Sequence, residues 1–324
     1  MDIYFDYEYC KINEIIEDGK AVPYVFKSEN GTIKYNFIQK KIPENDGLYE
    51  KIYYDITTPY GYGGPLIVDA SNKEELIKEF EAEFSNYCKK NNIVSEFIRF
   101  HPILKNHNDF ETLYDLEYSR DTVGTNLLDY ENPFKEEFSK SCRKKINKQL
   151  RDGLNYEIIE NPNDIQEFLK FYYSTMDRNM ANNFYYFSEE YFQKFVQKFN
   201  ENIVLVKAIH EDKTIAMGFY FIYNKYIHIH LSGTLKEYLH LSPAYILRFG
   251  ITEWGKKKGF EMIHHGGGRT SDPEDGLFKF KKQFGKNTGF EYYLGKRIRN
   301  QKVYDTLSAG IKNSDNKFPV YRSR

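Results

Sequence analysis

Hydrophobic and polar positions change rhythm repeatedly along the chain, and each change marks an element. Between residues 24 and 39, Tyr24 and Phe26, then Ile33, Tyr35 and Phe37, alternate with other residues around Ser28-Glu29-Asn30-Gly31. Period-two alternation across an Asn-Gly turn predicts a β-hairpin. Ile52–Ile56 reads as a third strand, running into Thr57-Thr58-Pro59-Tyr60-Gly61-Tyr62-Gly63-Gly64-Pro65. The rhythm then lengthens. Leu76, Ile77, Phe80, Phe84, Tyr87 and Cys88 recur at helical spacing behind Ser71-Asn72-Lys73-Glu74, which has capping-box spacing. A helix to about Asn91 follows from that pattern. Ile93–Phe100 is a buried-looking strand, stopped by His101-Pro102.

Asp129–Asn132 with Pro133 reads as a junction. Beyond it Phe138, Cys142, Ile146 and Leu150 step by four, which predicts one helix over roughly 134–151, ended by Asp152-Gly153. Asn163 is placed to cap a helix with Ile165, Phe168, Leu169, Tyr172 and Met176 inward. Ser188 starts another, carrying Tyr191, Phe192, Phe195, Val196 and Phe199. Ile203–Ile209, Thr214–Tyr223 and Tyr226–Ser232 are strands in meander spacing. Ser242 is placed as an N-cap with Pro243 at the first helical position. That helix runs to Lys258 with Ile246, Leu247, Ile251 and Trp254 inward, Gly259 closes it, and Phe260–His264 is a short strand. Each half thus passes from strands to a capped helix, a short strand and a break, at His101-Pro102 and again at His265-Gly266. This suggests a duplicated lobe. The expectation is an α/β (α+β) protein with lobes at 1–130 and 131–324, the C-terminal tail free to pack back on the first lobe.

Length supports two lobes, since 324 residues exceed one ordinary core. Tyrosine (29) and phenylalanine (26) are abundant, which suits buried sheets and amphipathic binding walls. The net charge of −1 removes any general attraction to nucleic acid or anionic membrane. Locally the balance differs. Lys140, Arg143, Lys144, Lys145, Lys148 and Arg151 face no acid in their segment, and residues 279–299 are also rich in cations. Two basic patches in a neutral chain suit a small polyanion such as a pyrophosphate. Cys10, Cys88 and Cys142 form no pairing pattern, so a disulfide framework or zinc site is not expected and a reducing compartment is. Cys142 falls on the buried stripe of its helix, as a core thiol would. The acidic start Met1–Asp6 is no signal peptide, and no apolar run approaches a membrane span. A soluble cytoplasmic protein is expected. His228 and His230 lie two apart on one strand face, but without a third ligand nearby they read as a satisfied pair near the core rather than a metal site.

The chemistry is placed between His264 and Gly285. Gly266, Gly267 and Gly268 let the backbone leave the short strand by close approaches that a Cβ would forbid. Phe278, Phe280 and Phe284 then surround Lys279, Lys281 and Lys282; Phe280 and Phe284, four apart, share a helical face with Lys281 at its edge. A lysine held there loses hydration and can stabilise a developing oxyanion more strongly than in water. The same pattern also describes a solvated rim, with lysine stems packed on rings. Tyr60 and Tyr62 could wall a ligand cleft or simply stiffen a turn. For a general base, His101 and Asp275 are candidates. His265-Gly266-Gly267-Gly268 lacks the Gly-x-Ser-x-Gly partner of a hydrolase, and no Walker loop, dinucleotide fingerprint or Cys/His cluster is present.

Five segments occur in order: Thr58-Pro59-Tyr60-Gly61-Tyr62-Gly63-Gly64-Pro65, Phe97-Ile98-Arg99-Phe100-His101-Pro102, Arg143-Lys144-Lys145-Ile146-Asn147-Lys148, Thr175-Met176-Asp177-Arg178-Asn179, and Gly266-Gly267-Gly268 through Phe280-Lys281-Lys282-Gln283-Phe284. Together, over about residues 52 to 285, they resemble the FemAB-type branch of the GNAT acyltransferase superfamily. The resemblance implies two tandem GNAT-like lobes, each a mixed central sheet flanked by helices, and transfer of an acyl or aminoacyl group to an amine. It assigns tetrahedral-intermediate stabilisation to Lys281 and amine positioning to the Phe280 carbonyl. It makes Tyr60, Tyr62, Arg99, His101, Arg143, Arg178 and Arg269 candidates for substrate binding, with Arg178 and the Arg143 region toward a pyrophosphate. The implied acceptor is a small anionic cell-wall or surface-polysaccharide precursor, nucleotide-linked or lipid-linked. The donor is aminoacyl-tRNA or acyl-CoA, with no permanently bound cofactor or metal. Gln283 replaces a usual glycine, His101-Pro102 replaces Asp-Pro, the long helical arm of some tRNA-using members is missing, and Leu239–Ala244 lacks the CoA-binding loop pattern. The alternative is a non-catalytic precursor binder on a degenerate transferase scaffold.

Overall fold

The computed structural model describes residues 1–43, 51–180, 182–312 and 317–323. In chain order the elements are α1 (Tyr7–Ile12), α2 (Glu14–Glu17), β1 (Lys20–Ser28), β2 (Gly31–Lys41), β3 (Tyr54–Thr57), β4 (Leu66–Ala70), α3 (Lys73–Lys90), β5 (Ile93–Arg99), β6 (Asp115–Asn126), α4 (Pro133–Glu137), α5 (Lys140–Arg151) and β7 (Asn155–Glu160). There follow α6 (Gln166–Arg178), α7 (Glu189–Phe199), β8 (Ile203–His210), β9 (Lys213–Tyr223), β10 (Tyr226–Thr234), α8 (Ala244–Lys258), β11 (Met262–Gly267), α9 (Gly276–Lys282), β12 (Gly289–Ile298) and α10 (Gln301–Ser308). This is a mixed α/β protein, and it divides into two compact units. One comprises Met1–Ile3 and Arg120–Glu291; the other comprises Tyr4–Ser119 and Tyr292–Arg324. The sequence reading put its boundary after residue 130. The structural division comes earlier because β6 is one long strand whose later residues, Thr122–Asn126, pair with β11.

In the unit containing Tyr4–Ser119, β1 and β2 form the expected hairpin, with Ser28 opposite Gly31. Gly31 sits at φ +142, where an added Cβ would lie 2.2 Å from the Asp69 carbonyl oxygen, so that turn admits no side chain. β2 pairs antiparallel with β3 and β4, β3 pairs parallel with β5, and β5 pairs antiparallel with β12. α3 buries Leu76, Phe80, Phe84 and Cys88, the stripe its spacing predicts. Its cap is Asn72, whose side chain accepts from the Glu75 N–H; Ser71 instead donates to the Glu29 carbonyl beside the hairpin turn. α10 and the tail complete this unit: Tyr321 hydrogen-bonds Ser95 at 2.7 Å, and Arg322 pairs with Asp55 at 2.7 Å. Tail residues 313–316 and 324 lie outside the described residues.

In the unit containing Arg120–Glu291, β7, β8, β9 and β10 form an antiparallel meander. β10 pairs parallel with β11, and β11 pairs antiparallel with β6. The parallel register covers only Tyr226–His228 against Met262–His264. Beyond it both strands are bulged, β10 between Ile229 and Leu231 and β11 between His264 and Gly266. α8 packs on this sheet around Ile246, Leu247, Ile251 and Trp254.

Four sequence expectations need correction here. The helix over 134–151 is two helices, because Phe138 is extended (φ −78, ψ 137) and Ser139 caps a new start. Backbone partners outside the helix claim this point: Ser139 donates to the Gln283 carbonyl and Lys286 donates to the Glu137 carbonyl. α6 begins at Gln166 without a side-chain cap from Asn163; Asp164 accepts from the Gln166 N–H. Ser242 does not cap α8: it sits at φ +52, its carbonyl accepting from the Gln149 side chain, and Pro243 takes the cap position. The bulge in β10 interrupts the alternation between His228 and His230. His228 bonds Asp2 at 2.8 Å, while His230 lies against the Phe219 and Phe221 rings.

Candidate active site

The glycine run that ends β11 is dictated by what lies against it. Gly266 has φ +72, and a Cβ there would meet the Lys281 ammonium at 3.3 Å. A Cβ on Gly267 would come within 2.8 Å of the Arg120 side chain and 2.9 Å of the Asp121 carbonyl, both on β6. Arg120 then donates to the Gly268 and Arg269 carbonyls, each at 2.8 Å. Close approach of backbone to strand and to lysine therefore excludes side chains here. Asp275 starts α9 by accepting from the Phe278 N–H at 2.9 Å. That bond is the largest of several backbone contacts holding its carboxyl below the usual range. Asp275 thus serves as a cap and stays ionised.

Lys281, on the last turn of α9, donates from Nζ to the Gly267 carbonyl at 2.7 Å. Its pKa is lowered to about 7: burial is the largest cause and the Arg248 charge the next, Asp275 acts in the opposite sense, and Arg120 adds a smaller lowering. Phe280 and Phe284 stand edge to face at 5.2 Å, and Tyr245 meets both rings at 5.4 and 5.3 Å. Arg248, from α8, lies over the same two rings with its guanidinium carbon 4.6 and 5.1 Å from their centres. The Phe280 carbonyl accepts from the Gln283 N–H at 3.3 Å. A carbonyl has two lone pairs, so one remains for an incoming donor.

His265 lies behind this group, 1 % exposed. Thr125 donates its hydroxyl to the Phe284 carbonyl at 2.7 Å, so its lone pair faces His265 Nε2, also at 2.7 Å. That arrangement puts the ring proton on Nε2 and leaves Nδ1 as a bare lone pair. Burial first, then Arg248 and Lys281, hold this histidine neutral, its pKa far below the usual value. The arrangement offers one titratable ammonium beside a permanent cation in an aromatic wall. Such a group can take up a proton near neutrality and then face an oxyanion as a cation.

The other sequence-predicted residues fall in separate settings. In the unit containing Arg120–Glu291, Arg143 donates to the Lys135 carbonyl at 2.8 Å and also to the Phe138 carbonyl, closing the break before α5. Arg178 donates to the Thr234 carbonyl at 2.7 Å, and Arg269 is exposed. Cys142 is buried and its thiol is pushed up to about 12, chiefly by burial, which fits a core role. In the other unit, Tyr62 packs edge-on to Tyr4, His101 and Tyr292 at 5.2, 5.4 and 5.4 Å. The Tyr60 carbonyl accepts from the Tyr9 hydroxyl at 2.8 Å. Arg99 donates to the Thr58 carbonyl at 2.8 Å and reaches Glu17 at 3.4 Å. His101 is buried, its Nδ1 accepting from the Leu104 N–H at 3.2 Å.

Arg248, Arg120 and Tyr245 were not singled out from sequence. For Arg248 a signal existed: it occupies the helical phase of Leu247 and Ile251, where a charge is out of place.

A family profile described as an acetyltransferase (GNAT) domain matches residues 136–282. The UDP-N-acetylmuramoylpentapeptide-lysine N(6)-alanyltransferase of Weissella viridescens is 22% identical over 173 residues, 52% of this chain and 50% of that protein. The match therefore spans about half the length of this curated relative. The crystal structure of FemX superposes with a TM-score of 0.69, at 12% identity and covering 92% of each chain. Residues 136–282 thus match the GNAT domain profile, and the chain shares the fold of FemX. A tandem GNAT protein from the clavulanic acid biosynthesis pathway also matches in fold, with a TM-score of 0.53 at 7% identity, covering 89% of this chain and 88% of that one. Lys281 and Phe280 fall inside the matched region, near its end.

Proposed function

We propose that this chain is an N-acyltransferase that moves an acyl or aminoacyl group onto an amine of a cell-wall or surface-polysaccharide precursor. The amine attacks the donor carbonyl directly, with no covalent enzyme intermediate. Lys281 is the observation that carries this reading: a half-buried lysine whose amine is bonded to the glycine-turn carbonyl, with its pKa brought to about 7. Its charge is available to the tetrahedral oxyanion in a setting where water screens it little. The Phe280 carbonyl orients the attacking amine. Tyr60, Tyr62, Arg99, His101, Arg143, Arg178 and Arg269 are the proposed contacts to the acceptor, and the transfer belongs to the C-terminal lobe. The Weissella relative, named for alanine transfer to a lysine of a UDP-linked muramoyl pentapeptide, supports an anionic nucleotide-linked acceptor. The donor is an aminoacyl-tRNA or an acyl-CoA, and the reaction is cytoplasmic.

The test is to incubate the purified chain with a UDP-linked pentapeptide and either alanyl-tRNA or an acyl-CoA, following the product by mass spectrometry. A Lys281→Met variant that folds is expected to transfer about 10² to 10³ times more slowly, the usual loss of one oxyanion-stabilising donor. A variant rate equal to the parent's rules out the assignment of Lys281. Acceptor binding without turnover of either donor supports the binding-only alternative instead.

A further inference from the structure

Arg248 has no task in an acyl transfer carried by Lys281 and Phe280 alone. It lies on the second turn of α8, 5 % exposed. One N–H reaches the Ala244 carbonyl at 3.4 Å, and Nε has no acceptor among the described residues. The groups that act on its charge are Tyr220, Cys142 and Tyr245, and none is a carboxylate. Tyr220 and Cys142 are themselves shifted upward by burial, so both stay neutral. A buried cation is ordinarily matched by a carboxylate, since otherwise its lost hydration is uncompensated. Ring faces give Arg248 partial compensation only. Those rings belong to Phe280, next to Lys281 on α9, and to Phe284, just past the end of that helix.

We propose that Arg248 is a positioning residue whose fixed charge, laid across Phe280 and Phe284, keeps Lys281 Nζ free to act as the proton acceptor for the incoming ammonium group. The inference rests on the acyl-transfer reading and gives it the general base it lacks. Neutral Lys281 Nζ takes one proton from the acceptor's R–NH3+, leaving R–NH2. The amine lone pair forms the new C–N bond, and the carbonyl π pair moves onto oxygen. Lys281, now an ammonium, faces that oxyanion. On collapse the carbonyl reforms and the C–O or C–S bond to the leaving group breaks. The departing oxygen or sulfur takes the proton from Lys281, and the surplus proton on the new amide nitrogen passes to solvent. Lys281 ends as it began.

The charged and titratable groups around Lys281 sort into different parts. Burial is the main reason the lysine gives up its proton easily, and Arg248 is next. Asp275, at the start of α9, works against both. Arg120, from β6, acts in the same sense as Arg248 but more weakly, and its guanidinium is held by the Gly268 and Arg269 carbonyls. His265, from β11, is neutral and adds no charge. Arg248 is thus the strongest permanent charge acting on Lys281.

Competitive labelling with acetic anhydride across pH, read peptide by peptide in a mass spectrometer, gives the titration midpoint of Lys281 without any substrate. The parent is expected to show a midpoint near pH 7. In Arg248→Gln the midpoint is expected to rise by about one pH unit or more, and in Arg248→Lys, which keeps a cation, to stay close to the parent's. A midpoint unmoved in a folded Arg248→Gln overturns the proposal, as does a rise in Arg248→Lys equal to that in Arg248→Gln. Should the glutamine variant fail to fold, the parent decides: a Lys281 midpoint in the ordinary lysine range, about 10.4, overturns it. The limb of the kcat–pH profile that rises through neutrality is expected to move up with the labelling midpoint, KM staying constant. Failure of turnover with every donor would sink the acyl-transfer reading, and the labelling result separates that outcome from a failure of the role given to Arg248.

Discussion

Among the described residues, two arginines with buried side chains lie over phenylalanine rings, and they are kept in opposite ways. Arg299, just after β12, sits 5.3 Å over the Phe84 ring. It donates to Glu96 and, at 2.7 Å, to Glu81, with Ser85 at 3.0 Å. Glu96 is fully buried and also accepts from the Tyr35 and Tyr114 hydroxyls at 3.1 and 3.2 Å. Burial would lower the pKa of Arg299, but Glu96 and its neighbours more than offset this and raise it. Arg248 has rings and one backbone carbonyl, no carboxylate, and a pKa lowered by burial. The first is a structural ion network in which the cation is matched by carboxylates. The second is an unspent charge, and the group that feels it is a lysine with a pKa of about 7. An unmatched buried charge is therefore a better pointer to chemistry than a matched one.

The sharpest way to break this contrast is to remove the acid from the matched site. Glu96→Gln leaves Arg299 and two tyrosine hydroxyls short of a carboxylate and is expected to cost about 3 kcal/mol, measured by urea unfolding. A loss below about 1 kcal/mol would mean that Glu81 alone satisfies Arg299, and the network would lose its structural meaning.

Next comes the pH dependence of stability carried by Lys281. Unfolded, this lysine holds its proton to about pH 10.4; folded, only to about pH 7. Between those values the unfolded chain binds the extra proton, so the contribution of Lys281 to stability rises with pH across that window. Below pH 7 the cost of the partly desolvated ammonium is present in full. Lys281→Met is expected to be more stable than the parent at pH 7, by on the order of a few kcal/mol, with the gap closing toward pH 10. A gap that stays constant with pH would show an ordinary lysine.

The smallest effect is expected at the unmatched arginine itself. Arg248→Met leaves no carboxylate behind and keeps an apolar stem against the rings. Its unfolding free energy should change by about 1 kcal/mol or less, as the lost ring contact and the relieved desolvation oppose each other. A loss as large as that of Glu96→Gln would make Arg248 a structural residue after all.

Much of the fold could be read from spacing, because local periodicity and tertiary burial agree there. The α3 stripe is buried where its four-residue steps place it, and the hairpin turns at Asn30-Gly31 as its chemistry requires. Disagreements arise where a distant backbone group competes. Phe138 fits a helix by phase, yet Gln283 and Lys286 take up the backbone on either side of it and break the helix. Ser242 has the residue type of a cap, but it sits at φ +52 with its carbonyl accepting from Gln149.

By itself the sequence determined the repeated pattern of strands, helix, strand and break, the glycine turn, and a lysine between two phenylalanines. These are properties of neighbours, set by spacing and by backbone torsion. Only the tertiary structure decided that Gly267 must be bare because Arg120 crosses it from β6, and that Lys281 turns back to the Gly267 carbonyl. It also decided that Arg248 stays unpaired over the same two rings. Desolvation and Coulomb interaction depend on distance through space, and residues far apart in the chain acquire that distance only when the sheet has formed.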